Sequence, residues 1–407
     1  MNGSGLLVLS RLSLRDFLLT KCGKVLVLKR IMCFVFCVLL QGVRNMIIGI
    51  LSDTHHDRAN AVPHIMAEFL KRGVQLIIHC GDIEPKHLDP KLFGGLPVIC
   101  ALTEGQVEKE EFQTPPEGWI YTTPGNRIVQ VAEGICFYLG HKRAFEFLTG
   151  SEKKLNEMLS SIRRDHDGVR FLFTGHTHHG IYKRGRLIDL INPGAVEDSL
   201  DGYEFAVLDT TTEEIVFSRI PKTKPVKQTF SVGVISDSLN IGDMDVDFWV
   251  RLRAELESRG VTHVIHCGNI AMGDIGRPEL SGFIVHYNLR PDQKDSKSFK
   301  NWERIPVEDP TVTIGGYKFY VQLDLGATLL EQSEVDMHMF CLKLRQKFPE
   351  TSYVLCGATN DALYEEGEQA RIINPGDCLN DRSFCVICLP RAEITFGHVP
   401  VDPLPAI

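Results

Sequence analysis

The sequence predicts an α/β fold of crossover helices covering a layered, largely parallel sheet, present twice in tandem, and three observations carry that prediction. Continuous apolar runs suited to buried strands alternate with apolar residues at helical spacing. Four short motifs of the first half recur, in order, in the second. The 407 residues also exceed what one hydrophobic core usually serves.

Residues 1–45 read as an N-terminal extension. Lys29-Arg30 precedes the apolar run Ile31 to Leu40, which resembles a signal-peptide core but is too short to span a bilayer. The small-residue cleavage site that should follow is poor at Leu40-Gln41-Gly42-Val43, so the simpler expectation is an upstream start codon, with Met46 as the true first residue. Export would follow only from a real signal.

From Met46 the order is strand, loop, helix, strand. Ile47 to Leu51 is a buried strand, Val62, Ile65, Met66, Phe69 and Leu70 fall on one helical face, and Val74 to His79 is the next strand. Arg127 to Val131 and Ile135 to Leu139 flank Glu133-Gly134 as a hairpin. Ser151 caps a helix running to about Arg164, and Val169 to Thr174 is strand again. Hairpins over Ile181 to Ile191 and Tyr203 to Ile220 close a first domain at 46–221. Residues 222–227 form a linker between prolines, and 228–407 form the second domain.

The repeat is specific. Ile50-Leu51-Ser52-Asp53 returns as Val234-Ile235-Ser236-Asp237, and Ile78-His79-Cys80-Gly81-Asp82 as Ile265-His266-Cys267-Gly268-Asn269. Gly175-His176-Thr177-His178 returns as Gly357-Ala358-Thr359-Asn360, and Ile191-Asn192-Pro193-Gly194 as Ile373-Asn374-Pro375-Gly376. The offsets are 184, 187, 182 and 182 residues, too constant for chance.

Composition narrows the class. With 43% hydrophobic and 24% charged residues the chain is a soluble globular protein, and a net charge of -8 gives no strong nucleic-acid signal. No stretch reads as a membrane span. Twelve cysteines, several inside apolar strand-like runs (Cys136, Cys356, Cys385), suit buried free thiols in a reducing compartment, which points to the cytoplasm. Neither a phosphate-cradling Gly-x-x-x-x-Gly-Lys-Ser/Thr loop nor a Gly-x-Ser-x-Gly elbow is present.

The chemistry-bearing residues stand at predicted strand ends. Asp53-Thr54-His55 follows the first strand, and residues i and i+2 of an extended segment point the same way, so a carboxylate and an imidazole are presented together. Gly81-Asp82 follows the second strand, where open α/β sheets keep their ligand sites. His176 and His178 repeat the i, i+2 geometry after a later strand. Taken singly, an Asp-x-His at a strand end is more often a turn residue beside a surface histidine. Together, carboxylates and imidazoles suit Mn, Fe or Zn better than Mg or Ca.

These motifs resemble those of the calcineurin-like metallophosphoesterase superfamily, in particular its small YfcE-type phosphodiesterases and the retromer subunit that shares their fold. The resemblance covers nearly all of Met46 to Pro221 and, more faintly, Gln228 to about Pro400. It implies a metallophosphoesterase-like sheet sandwich flanked by helices. It also implies a first metal held by Asp53, His55, Asp82 and His178, and a second held by Asp82, His176, an asparagine and one more histidine. The family's Gly-Asn-x-Asp appears here as Gly105-Gln106-Val107-Glu108, leaving Gln106 as an oxygen ligand. Its His-Gly-His appears as Leu139-Gly140-His141, which places Leu139 where the second metal's histidine belongs and leaves His141 to compensate only by a different approach.

Two metals would clamp a small phosphoester substrate and activate water for in-line attack, with His141 or Glu108 as the acid for the leaving group. The cofactor expected is Mn, with Fe, Zn or Ni as alternatives, at one or two ions per chain. His56 and Asp57 are partners of the ligands or simply the start of the next helix. The second copy keeps only Asp237 of the ligand set, with Leu239, Asn269, Ala358 and Asn360 at the other positions, so it is expected to serve packing, substrate shaping or homo-oligomer contacts. The competing expectation is a non-catalytic metal-binding scaffold or interaction protein of the same fold.

Overall fold

In the computed structural model the described residues are 46–401, apart from 56–59, 133–134, 143–151, 186, 198–201, 222–228, 240, 242–244, 246, 291–292, 294–298, 326–333, 360 and 368–369. The extension 1–45, the linker, His56, Asp57, Ser151 and Asn360 therefore lie outside the described residues.

The first half runs β1 (Ile47–Leu51), α1 (Ala61–Lys71), β2 (Leu76–His79), β3 (Val98–Ala101), α2 (Glu104–Val107), β4 (Trp119–Thr122), β5 (Ile128–Ala132) and β6 (Ile135–Leu139). It continues with α3 (Glu152–Asp165), β7 (Val169–Phe173), β8 (Gly180–Lys183), β9 (Asp189–Pro193), β10 (Gly202–Asp209) and β11 (Glu214–Pro221). The second half opens with β12 (Phe230–Ile235), α4 (Phe248–Ser258), β13 (Val261–His266), β14 (Ile284–Tyr287), β15 (Trp302–Arg304), β16 (Thr311–Ile314) and β17 (Tyr317–Gln322). It ends with α5 (Glu334–Lys347), β18 (Thr351–Cys356), β19 (Leu363–Glu366), β20 (Arg371–Asn374), β21 (Ser383–Leu389) and β22 (Glu393–His398).

The elements form where local pattern meets burial. On α1, Val62, Ile65, Met66 and Phe69 are buried against the sheet, and Phe69 lies so close over β1 that a Cβ on Gly49 would sit 2.7 Å from its ring. On α4, Phe248, Trp249, Leu252 and Leu256 do the same work for the second half. The nine described cysteines are free thiols, seven of them buried. Among the described residues no helix is long and apolar enough to cross a membrane.

The sheets differ from the largely parallel arrangement read from the sequence. Strands β1 to β4 are parallel to one another, but β10 pairs antiparallel to β1 and continues into β11. In the other layer β6, β7 and β9 are parallel while β5 and β8 are antiparallel additions. Hairpins account for β5 beside β6, β8 beside β9 and β11 beside β10, because a short turn can return the chain only antiparallel.

Both layers run unbroken through the two halves. One sheet has twelve strands in the order β15-β14-β13-β12-β21-β22-β11-β10-β1-β2-β3-β4, and the other has ten, β16-β17-β18-β20-β19-β8-β9-β7-β6-β5. The junctions are β11 against β22 and β8 against β19, both antiparallel. At the first, Val216 faces Thr395, with Ile215 on Phe396 and Phe217 on Ile394. Glu214-Ile215-Val216-Phe217 and Glu393-Ile394-Thr395-Phe396 are counterpart sequences, so each segment pairs with its own counterpart about a local twofold axis. The aromatic contacts follow suit: Tyr182 meets Phe396 at 5.0 Å between ring centroids, and Tyr364 meets Phe217 at 4.8 Å. The core between the layers accordingly draws on both halves, with Ile48, Phe137, Phe173 and Phe217 beside Val234, Phe319, Tyr353 and Phe396. The residues before 222 and after 228 share one interior.

Candidate metal centre

The turns that follow β1, β2, β6 and β7 converge on one cluster. Five of its residues have left-handed backbone: Asp53 (φ 52°), His55 (37°), Asp82 (56°), His176 (76°) and His178 (62°). Residues other than glycine seldom adopt this region, and here neighbouring strands hold them in it. Asp53 N–H donates to Gly81 O at 3.0 Å, His55 N–H to Asp82 O at 3.3 Å, and His176 N–H to Asp53 Oδ2 at 3.0 Å. In the second half Asp237, Asn269 and Ala358 keep the conformation with φ of 54°, 57° and 62°. The backbone template is thus common to both halves, and the side chains distinguish them.

Two glycines let the turns close. Gly81 has φ 117°, and a Cβ there would lie 2.7 Å from His141. A Cβ on Gly175 would lie 2.0 Å from Ser52 Oγ and 2.9 Å from Asp53 Oδ2. Asn192 clamps the histidine loop, its Nδ2 donating to Gly175 O at 3.2 Å and to Thr177 Oγ1 at 2.9 Å, on either side of His176.

Asp53 is the hub. Its Oδ1 lies 3.4 Å from His178 Nε2, 3.7 Å from His141 Nε2 and 4.0 Å from His55 Nε2. His55 Nδ1 is 3.5 Å from Asp82 Oδ2, and His55 Nε2 is 3.2 Å from His178 Nε2. Asp53, His55 and His178 form one group of converging ligand atoms, and Asp53, Asp82 and His141 form another. Burial alone would raise the Asp53 carboxyl, but the approach of His178, the field of His141 and the Ser52 hydroxyl outweigh it and hold the group at about 2. Burial pushes the His141 imidazole down, against the pull of Asp53 and Asp82.

The donor set fits a divalent cation. His141 is 2% exposed, and its Nδ1 is 3.1 Å from Cys80 O, the partner that fixes a ring with Nδ1–H toward a carbonyl and the Nε2 lone pair forward. That Nε2 and Asp53 Oδ1 are both buried without a hydrogen-bond partner, two electron-rich atoms facing one space. In the second half the same space is filled from within. Asp237 receives Asn269 Nδ2 on Oδ1 at 2.9 Å, with Ala358 N–H at 3.0 Å and Ser236 Oγ at 2.6 Å on Oδ2.

The remaining residues singled out from the sequence fall elsewhere. Gln106 is directed away from metal binding: its Oε1 accepts the Thr103 N–H at 3.0 Å in a capping box at the start of α2, and its Nε2 donates to Ile83 O at 2.7 Å. Glu108 is exposed at the end of α2. His176 stands beside His141, ring centroids 5.1 Å apart. Leu139 is fully buried in the central core. His141 lies in the cluster with Asp53 and Asp82, its Nε2 3.7 Å from Asp53 Oδ1.

His79 escaped the reading of the sequence. It is fully buried, its imidazole pushed by burial down to about 3, and it joins Thr54 Oγ1 (3.3 Å) to the Gly81 N–H (3.2 Å). His266 does likewise with Ser238 Oγ (2.7 Å) and Gly268 N–H (3.2 Å). Its recurrence in both Ile-His-Cys-Gly segments is the signal that marks it.

Carboxylates and imidazoles gathered at strand ends of a two-layer α/β sandwich make up a cluster that could hold a metal ion. The chain belongs to the calcineurin-like phosphoesterase superfamily, whose domain model matches residues 46–213. A probable metallophosphoesterase of Methanocaldococcus jannaschii is 30% identical over 153 residues, 37% of this chain and 68% of the relative. One of Methanothermobacter thermautotrophicus is 26% identical over 151 residues, 37% of this chain and 77% of the relative. Among solved structures, an archaeal phosphodiesterase is 22% identical with a TM-score of 0.34, covering 43% of this chain and all of its own. Zinc-complexed Vps29 of Entamoeba histolytica is 18% identical with a TM-score of 0.30, covering 44% of this chain and 95% of its own.

Proposed function

We propose that the first half hydrolyses phosphodiesters or phosphomonoesters with a divalent metal, Mn first, with Fe, Zn or Ni as substitutes. The observation that carries this reading is the buried Asp53 Oδ1, which has no hydrogen-bond donor while three imidazole Nε2 atoms lie within 4.0 Å of it. Asp53, His55, Asp82 and His178 hold the metal, with His141 as a further ligand. When bound, such an ion supplies Lewis acidity toward phosphoryl oxygen and lowers the pKa of water. The chain supplies orientation: Cys80 O sets the His141 ring, Asn192 holds the His176 loop, and Glu108 is the acid candidate at the exposed rim. Purified full-length protein with Mn should cleave an aryl phosphodiester, and Asp82→Ala should abolish cleavage. No turnover with any divalent metal would overturn the reading.

A non-catalytic metal-binding scaffold is favoured by one observation, the commitment of Gln106 to capping beside a leucine at 139. Metal stoichiometry separates the readings, with two ions per chain expected of the enzyme and one or none of the scaffold. We further infer a tandem duplication, from the four motifs and the matched junctions. The buried thiols suit the cytoplasm. Homo-oligomer contacts would use surfaces other than the seam between the halves.

A further inference from the structure

Beneath the histidine loop lies a buried charge cluster to which both halves contribute. Arg219 of β11 pairs with Glu204 of β10 at 2.9 Å and with Glu366 of β19, which also receives Arg371 of β20 at 2.9 Å. The four side chains are 6–14% exposed. Two guanidinium and two carboxylate groups taken out of water are weak contributors to stability, since desolvation offsets most of their attraction.

The cluster reaches the segments next to His178 and Asn192 along two paths. Glu366 and Tyr364 line the start of β8, two residues past His178, where a Cβ on Gly180 would lie 3.0 Å from Tyr364 and 3.6 Å from Glu366 Oε2. Glu204 fills the space beside Gly194, where a Cβ would lie 2.0 Å from its Oε2. The Gly194 N–H donates to Asn192 Oδ1 at 3.1 Å, and Asn192 brackets His176.

The local twofold provides an internal comparison. The counterparts of Glu204, Arg219, Glu366 and Arg371 are Ser383, His398, Arg184 and Asp189. There Arg184 meets His398 at 2.6 Å, Asp189 turns to Tyr182 and the Gly185 N–H, and no carboxylate–guanidinium bridge joins the four. The same seam therefore closes without such a cluster at the end that lacks the ligands.

We propose that Glu366 and Arg371, from the half without a metal centre, are positioning residues for the centre of the other half, holding β8 and the Pro193-Gly194 turn so that His176 and His178 face Asp53. This rests on the metal-centre reading. The test is Mn titration calorimetry on the full chain, with melting temperature measured in parallel. Glu366→Gln should weaken Mn binding about three- to tenfold, toward the loss seen when groups supporting metal ligands are removed. Arg184→Met, at the counterpart position, should leave Mn affinity within twofold of wild type whatever it does to the melting temperature. If Glu366→Gln fails to fold, Arg371→Lys, which keeps the charge but not the forked geometry, should show the same weakening. Wild-type affinity in the folded Glu366 or Arg371 variant, or equal weakening in Arg184→Met, would overturn the proposal. Absence of Mn binding by wild type, matched by an unchanged Asp82→Ala, would remove the metal-centre reading itself.

Discussion

Tyr182 and Tyr364 stand opposite one another where β8 pairs with β19, and they occupy matching places before the two Ile-Asn-Pro-Gly motifs. Each ring packs on a phenylalanine of the other half, so the seam is made of self-matching surface, as an isologous contact is. Because both sheets continue across it, neither half presents a finished edge of its own there. Calorimetry of the full chain should then show one cooperative transition, with calorimetric and van't Hoff enthalpies in agreement. Two resolved transitions would show halves that fold independently.

Two ion pairs repeat the same symmetry at the seam. Arg72, at the end of α1, meets Glu393 at 2.5 Å, and Arg259, at the end of α4, meets Glu214 at 2.6 Å. These groups are about a quarter exposed, so each pair is worth only about 1 kcal/mol. Double-mutant cycles should find coupling between Arg72 and Glu393 and between Arg259 and Glu214, and none between Arg72 and Glu214.

Gly175→Ala should damage the centre from beneath. The added methyl meets Ser52 Oγ and Asp53 Oδ2, which leaves the β7 turn no room. Overpacking of this kind costs about 1 to 3 kcal/mol. Denaturant unfolding should register that loss, and the rise in melting temperature on adding Mn should shrink with it.

His141→Leu separates fold from site. It removes one buried nitrogen that has no partner but leaves Cys80 O without its donor, so stability without metal should fall by about 1 to 3 kcal/mol. Mn-dependent stabilisation should fall markedly. Equal Mn stabilisation in wild type and variant would exclude His141 as a ligand.

Asp189, outside the metal cluster, predicts a pH effect of its own. Burial raises its carboxyl from 3.8 to about 6, while Tyr182 Oη and the Gly185 N–H donate to it at 3.2 Å. The folded chain holds this proton more tightly than the unfolded one, so the contribution is complete below about pH 4 and is lost as pH rises through 6. Asp189→Asn imitates the protonated group. Its stability relative to wild type should grow between pH 4.5 and 7.5, by on the order of 2 kcal/mol, in denaturant titrations. A difference independent of pH would refute the assignment.

Local pattern made the first half largely readable. β1 coincides with the apolar run Ile47 to Leu51, and α1 extends the predicted face by one residue at either end. Strands β3 and β4, four residues each, were too short to stand out, since four apolar residues carry no period that separates strand from helix. Gln106 shows two local signals in competition. Thr103-x-x-Gln106 is a capping-box pattern, and the backbone N–H at the helix start won the oxygen that a metal would have needed.

What the sequence determined by itself is the inventory: strand and helix periodicity, the repeat, and carboxylates and imidazoles placed just past strand ends, all properties of residues close together in the chain. Only the tertiary structure decided which strand edges join, that His141 turns its Nε2 toward Asp53, and that charges from the second half underpin the histidine loop. Those outcomes depend on contacts between residues 88 to 181 positions apart, where edge hydrogen bonding and burial choose among partners that sequence leaves equivalent.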